Sequence, residues 1–303
     1  MRRAIHVLDT FWFERAPATR PAILRILVGL YTLYYLAPRY AMYMKIARSD
    51  QSLFKPVGVA SNLKKPVPVG VFRGLLIATF VANVLFVLGF RHRYTGPVFA
   101  GLLLWVMSYR NSWSMIYHSN NVLLLHAMIL SLSRSADALS LDSLVDATES
   151  EDPHWRYGWP IRLMNTVTTL TYFLAGVAKV KGPLGWKWGG GESLRSQIAV
   201  DGLRKEVDGG EAAPLAYVLH NNLFVFTIMG VGSLVLELVA PATLVSKRLS
   251  RLWAIGAFQL HWGIFLLMKI RFRYQMAGLV FAPFFDLDRV LTWIEHRGAG
   301  RHE

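Results

Sequence analysis

Two stretches, Leu223–Val245 and Leu252–Met268, are so nearly free of charge that they decide what this chain can fold into. A soluble core struggles to absorb several such runs. A bilayer with a hydrocarbon thickness of about 30 Å instead takes each as one helix of roughly 20 residues. Composition points the same way: hydrophobic residues make up 53% of the chain and charged residues only 17%, below the roughly 25% of an average soluble domain. The expected fold class is all-α, a polytopic integral membrane helical bundle of about six to eight transmembrane helices. The expected location is the cell membrane, multi-pass, with one domain over residues 1–303.

The formal net charge of +14 raises nucleic acid as a partner, but the pattern of the basic residues argues against it. They fall in short clusters between apolar runs: Arg2-Arg3, Lys64-Lys65, Arg91 with Arg93, and Lys247-Arg248 with Arg251. Such clusters suit anionic lipid headgroups better than one contiguous basic face does, so membrane lipid is the expected partner and nucleic acid is not. Zero cysteines exclude disulfides, thiolate metal sites and thiol catalysis. No metal site is predicted. Phosphate-cradling glycine motifs, a metalloprotease histidine pair and a hydrolase elbow are absent from the sequence, and no pair of matching broken helices marks a transporter.

Residues 1–21 read as an extramembrane segment, not a cleavable signal peptide, because Asp9 and Glu14 interrupt it. A first helix is expected over Ala22–Ala37, with tyrosines at its exit and a costly Arg25 inside, followed by a short surface helix near Tyr40–Ala47. Further spans are expected at Val71–Phe90, Thr95–Met107, Asn121–Ser133, Ile161–Val180, Leu223–Val245 and Leu252–Met268. The short turn Arg91-His92-Arg93-Tyr94 requires the third helix to return antiparallel to the second. Residues 134–160 and 182–218 read as polar loops, and the last run, Met276–Phe285, is short enough to be re-entrant.

Polar groups inside spans are the most informative residues, because an unpaired central charge penalises insertion by about 2.5 to 3.5 kcal/mol. In Ile161–Val180, Asn165, Thr169, Tyr172, Gly176 and Lys179 recur at helical spacing as one stripe. Lys179 reads either as a base, if neutral, or as a lysine that snorkels to the headgroups. Gly230, Ser233, Glu237 and Pro241 share a face, and Pro241 lacks the N–H that the Glu237 carbonyl requires. Glu237 reads either as a functional carboxylate or as half of a structural ion pair with an intramembrane partner such as Arg25 or Arg73. Gln259 and His261 lie among Phe258, Trp262 and Phe265. Arg110-Asn111-Ser112-Trp113, His118, Asn120-Asn121, His126 and Ser140-Leu141-Asp142 form a dense polar stretch, either an interfacial loop capped by Ser140 or a cover over an intramembrane site.

These residues, in this order, resemble the HTTM family, the transmembrane domain shared with vitamin K-dependent gamma-carboxylases. The resemblance runs over nearly the whole chain. It rests on Arg110-Asn111, Ser140-Leu141-Asp142, the string Tyr172-Phe173-Leu174-Ala175-Gly176-Val177-Ala178-Lys179 followed by Trp186, Glu237 with Pro241, and His261. In the carboxylases the segment similar to Ala175–Lys179 carries the lysine that acts as base on reduced vitamin K. That step starts oxygenation to a strong base, which removes a glutamate γ-proton before CO₂ is added. The resemblance therefore implies Lys179 as base, with His261 and Glu237 as further catalytic residues. Ligand contacts are expected from Arg110, Asn111, Asn121, Tyr172 and Trp262, and reduced vitamin K or menaquinol is the implied cofactor. A cavity lined by the last three long spans, with Tyr172, Phe258 and Trp262 against a flat ligand, is expected.

The sequence departs from the family at Ala178, where the carboxylases have a lysine, and at Asn121, where they have a histidine. The lumenal domain that follows their helices has no counterpart before Glu303, so peptide carboxylation is not expected and a separate soluble protein joins lipid and a quinone among the expected partners. Two functions stay open: carboxylase-like quinol oxygenation, a lyase-type chemistry, or a non-catalytic membrane protein that binds a lipid or a partner protein.

Overall fold

The computed structural model describes residues 2–113, 115–116, 118–145 and 153–289. Its helices are α1 (Arg2–Trp12), α2 (Thr19–Leu36), α3 (Tyr40–Ile46), α4 (Val69–Leu88), α5 (His92–Asn111), α6 (His118–Ser131), α7 (Leu141–Val145), α8 (Trp155–Lys181), α9 (Glu192–Val207), α10 (Pro214–Leu219), α11 (Leu223–Leu238), α12 (Lys247–Met268) and α13 (Arg273–Met276). The fold is all-α, a helical membrane bundle. The chain groups into two compact units, residues 1–164 with 286–303, and residues 165–285.

In the first unit α4 packs on α5, α5 on α6, and α2 against both α4 and α6. The buried stripe of α4 is Phe72, Leu76, Thr79, Ala82, Asn83 and Phe86. Its outward face carries Val71, Ile77, Val81, Val84 and Leu88, each at least 44% exposed. A helix that turns Thr and Asn inward and branched aliphatics outward is adapted to a hydrocarbon solvent. Thr19–Ile46 and Val69–Leu88 are each long and apolar enough to cross a bilayer. Close approach of α2 to α4 needs Gly29, where a Cβ would collide with Val87 and stand 3.1 Å from Phe86. Asn83 Nδ2 donates to the Gly29 carbonyl across that contact (3.2 Å).

Arg25 shows how a charge is tolerated in this interior. It is fully buried, and its guanidinium donates to the carbonyls of Ser135 (2.5 Å), Leu139 (2.5 Å) and Val87 (3.4 Å). The chain after α6 is thereby tied to the C-terminal end of α4. Gly89 (φ +62°) permits this, since a Cβ there would strike Ser140 and stand 3.0 Å from Arg25 Nη1. Ser140 Oγ accepts from the Ser143 N–H (2.9 Å), which makes it the cap of α7. Asp142 accepts from the N–H groups of Arg91 (2.6 Å) and His92 (2.8 Å).

That last contact corrects an expectation. The helix expected at Thr95–Met107 spans His92–Asn111, because a carboxylate 50 residues away in sequence satisfies its first free N–H groups. The supposed loop 134–160 holds α7, and α8 begins at Trp155, ahead of Pro160. Its start is pinned by the backbone bridge between Ala16 and His154 and by Gly158, whose missing Cβ leaves room for the Glu14 carbonyl. Residues 146–152 of that stretch, and the side chain of His118, lie outside the described residues.

In the second unit the expected loop 182–218 is largely helical: α9, α10 and a 3-10 turn at Gly185–Gly190. Polar composition hides α9, yet Arg195–Glu192 and Lys205–Asp201 pair along it and Ile198 is buried against Phe226 and Leu267. The run expected to continue to Val245 leaves α11 at Leu238 and tightens into a 3-10 turn over Ala240–Val245, where Pro241 cannot supply a helical N–H. The basic turn expected before Leu252 is helical from Lys247 onward. The last apolar run, Met276–Phe285, begins on the final residue of α13 and is mostly a 3-10 turn over Leu279–Phe284.

Replacing Arg25 by Met should destabilise the protein by about 3 kcal/mol, since three carbonyls lose a charged donor in a site closed to water. Thermal unfolding in detergent reads this directly, and an unchanged midpoint would show that the clamp is dispensable.

Candidate functional site

The polar stripe of α8 is one face, as its spacing requires, and within the second unit each member meets a different neighbour. Asn165 Nδ2 donates to the Pro283 carbonyl (3.4 Å), and Thr169 Oγ1 donates back to the Asn165 carbonyl (3.0 Å). Tyr172 shares a 2.6 Å hydrogen bond with His261 Nε2 and stands edge-on to Trp253 at 5.0 Å between ring centroids. One turn further, Gly176 lets α11 come close: a Cβ there would stand 2.9 Å from Glu237 Cβ. That contact sets the distance at which the last member, Lys179, reaches Glu237.

Lys179 Nζ donates to both Glu237 oxygens, at 2.6 and 2.8 Å, and lies 5.1 Å from the centre of the Trp188 ring. The ammonium thus rests between a carboxylate and an aromatic face, both of which favour its charge. The Glu237 side chain is 8% exposed and that of Lys179 25%. The partner of Glu237 is therefore Lys179 and neither Arg25 nor Arg73, which corrects the pairing expected from sequence. Proximity in sequence has no bearing on which buried charges meet; the Gly176 crossing decides it.

The pair forms the polar end of a cavity of about 570 Å³. Met229, Leu236, Ile264, Leu267, Met268 and Phe272 supply an apolar wall, with Ser233, Gln197 and Gln259 as further polar groups. Gly232 and Gly263 belong to the lining, and a Cβ on either would meet no atom within 4 Å. At these two positions the backbone faces the open space of the hollow directly.

Trp188, Leu194, Gln197 and Ile198 reach this cavity from the segment read as a polar loop. The loop is seated on α11 by glycines: a Cβ on Gly230 would stand 2.8 Å from the Trp188 carbonyl, and Gly191 (φ +81°) lies against Thr227. The available signals were the tryptophan inside a glycine-rich run and the i, i+4 pair Leu194 and Ile198.

Of the sequence-predicted residues, Lys179 and Glu237 meet at the cavity. Tyr172 and His261 bond one another and are not in its lining; His261 Nδ1 is buried without a hydrogen-bond partner among the described residues. Trp262 is 41% exposed and packs on Phe258 and Phe265, and neither it nor Phe258 lines the cavity. Arg110, Asn111 and Asn121 belong to the first unit. Arg110 is buried and donates to Asn111 Oδ1 (3.2 Å), while Asn121 is exposed and its neighbour Asn120 donates to the Tyr35 hydroxyl (2.7 Å).

A family model described as the HTTM domain matches residues 13–286. No curated protein and no solved structure matches the chain.

Breaking the pair should cost more than deleting it. Lys179→Met alone leaves a buried carboxylate unpaired, whereas Lys179→Met with Glu237→Leu removes both charges. Thermal or denaturant unfolding of the two singles and the double should give a coupling of about 2 kcal/mol, and additive effects would show that the two charges are independent.

Proposed function

The chain belongs to the HTTM domain family, and from that premise we propose a multi-pass protein of the cell membrane that binds a lipophilic quinol-type ligand in the cavity of its second unit, with Lys179 as the base. One observation carries this reading: an apolar hollow of about 570 Å³ ends on the half-buried Lys179, hydrogen-bonded to the buried Glu237. The volume lies within the range of about 300 to 1,000 Å³ usual for small-molecule sites. Space left by Gly232 and Gly263 suits a flat ring, and Met229, Ile264 and Leu267 suit an isoprenoid tail.

A reduced quinol bound there would supply a phenolic proton. The residues of the chain supply the proton's path. Lys179 Nζ would act as a base by passing a proton to a Glu237 oxygen across 2.6 Å, which would leave a free amine to take a phenolic proton while Glu237 keeps the first one. His261, outside the lining, acts by holding Tyr172 and so the face of α8 that carries Lys179.

A second reading rests on the same pair. Because each charge already satisfies the other, the pair also serves as a register clamp between α8 and α11 in a non-catalytic protein that binds a lipid or a partner.

Equilibrium binding of menaquinone to the purified protein, with Gly263→Leu and Lys179→Met beside the wild type, separates these readings. We expect saturable binding, a loss of at least about tenfold in Gly263→Leu at an unchanged unfolding midpoint, and loss of menaquinol-dependent turnover in Lys179→Met. Absence of saturable binding, or binding indifferent to Gly263→Leu, overturns the quinol reading. A Lys179→Met variant that loses stability but keeps turnover favours the clamp.

A further inference from the structure

The first unit carries a groove of its own, lined by residues that the proposed function does not use. Tyr40, Met44, Lys45, Arg48, Ser49 and Arg73 surround an open groove of about 720 Å³ between the end of α3 and the second turn of α4. Three of them are cations, and the lining holds no carboxylate. Among the described residues none of the three has an acidic side chain within ion-pair distance. The acid nearest in sequence, Asp50, instead accepts from the Ser52 N–H at 2.8 Å. Three like charges gathered without a counter-ion repel one another, so the groove favours an anion.

Position identifies which anion. The apolar stretch Thr19–Ile46 ends two residues before Arg48, and the span Val69–Leu88 begins four residues before Arg73. The cations therefore stand where two membrane-crossing segments leave the hydrocarbon, at headgroup depth, with Tyr40 as the aromatic expected there. Below Arg73, the exposed residues Ile77, Val81, Val84 and Leu88 follow at helical spacing on one outward stripe of α4. A phosphate in the groove and an acyl chain along that stripe satisfy both halves of one molecule. We propose that this groove binds the headgroup of an anionic phospholipid, with Lys45, Arg48 and Arg73 on the phosphate. The assignment stands apart from the quinol cavity, which lies in the other unit.

The test is binding of phosphatidylglycerol and, separately, phosphatidylcholine to the full chain in detergent, read by native mass spectrometry. The variant is Lys45→Gln/Arg48→Gln/Arg73→Gln, with Lys45→Arg/Arg73→Lys as a charge-preserving control. The expected result is preferential, saturable binding of phosphatidylglycerol that weakens by at least about tenfold in the glutamine variant, stays within about threefold in the control, and resists millimolar inorganic phosphate. The thermal unfolding midpoint of the glutamine variant in detergent should match the wild type and serves as the check on folding. Equal binding of the two lipids, an unchanged affinity in the glutamine variant, or displacement by inorganic phosphate overturns the proposal.

Discussion

Inside a bundle whose outer solvent is hydrocarbon, every polar group must find its partner within the protein, and the structure is organised by how that demand is met. The two units answer it differently. In the first, the Arg25 guanidinium spreads over three backbone carbonyls, so one cation organises the chain after α6 and the end of α4. In the second, Lys179 and Glu237 neutralise each other across the α8–α11 crossing. The planar, many-donor guanidinium suits carbonyls that point in several directions, and the compact ammonium suits a single carboxylate.

Both arrangements depend on glycine. Gly89 makes room for Arg25 and Ser140, and Gly176 brings Glu237 within reach of Lys179. Close helix contact through small residues is the usual means of association where lipid removes the hydrophobic driving force. Gly232 and Gly263 have a different role: a Cβ on either would meet no atom within 4 Å, so they face the open space of the cavity instead of closing a contact. The same residue type therefore holds the ionic pair in place and leaves the space beside it.

The site joins chemistry that a bilayer tolerates only in combination. Lys179 and Glu237 form an ion pair beside an apolar hollow, with Trp188 against the cation. Membership of the HTTM family and the helical membrane fold follow from the whole chain. A quinol-type ligand is our own reading of this corner of it.

Much of this was legible in the sequence because helical periodicity is local. Apolar runs announce helices, although of these Thr19–Ile46 and Val69–Leu88 rather than Leu223–Leu238 are long and apolar enough to cross a bilayer, and the spacing of Asn165, Thr169, Tyr172, Gly176 and Lys179 places them on one face before any neighbour is known. Start positions were legible only where the cap is local. Ser140 caps its own helix, but α5 begins earlier than its sequence indicates because Asp142 reaches back to it. The helical character of α9 and the place of Trp188 were hidden because polar composition resembles a loop until Ile198 finds Phe226 and Leu267. By itself the sequence determined which residues are too polar to face lipid, since that depends only on their chemistry and their distance along a helix. Which of them meet was decided by tertiary structure, since Lys179 and Glu237 are joined by a helix crossing whose closeness depends on a glycine and not on any spacing along the chain.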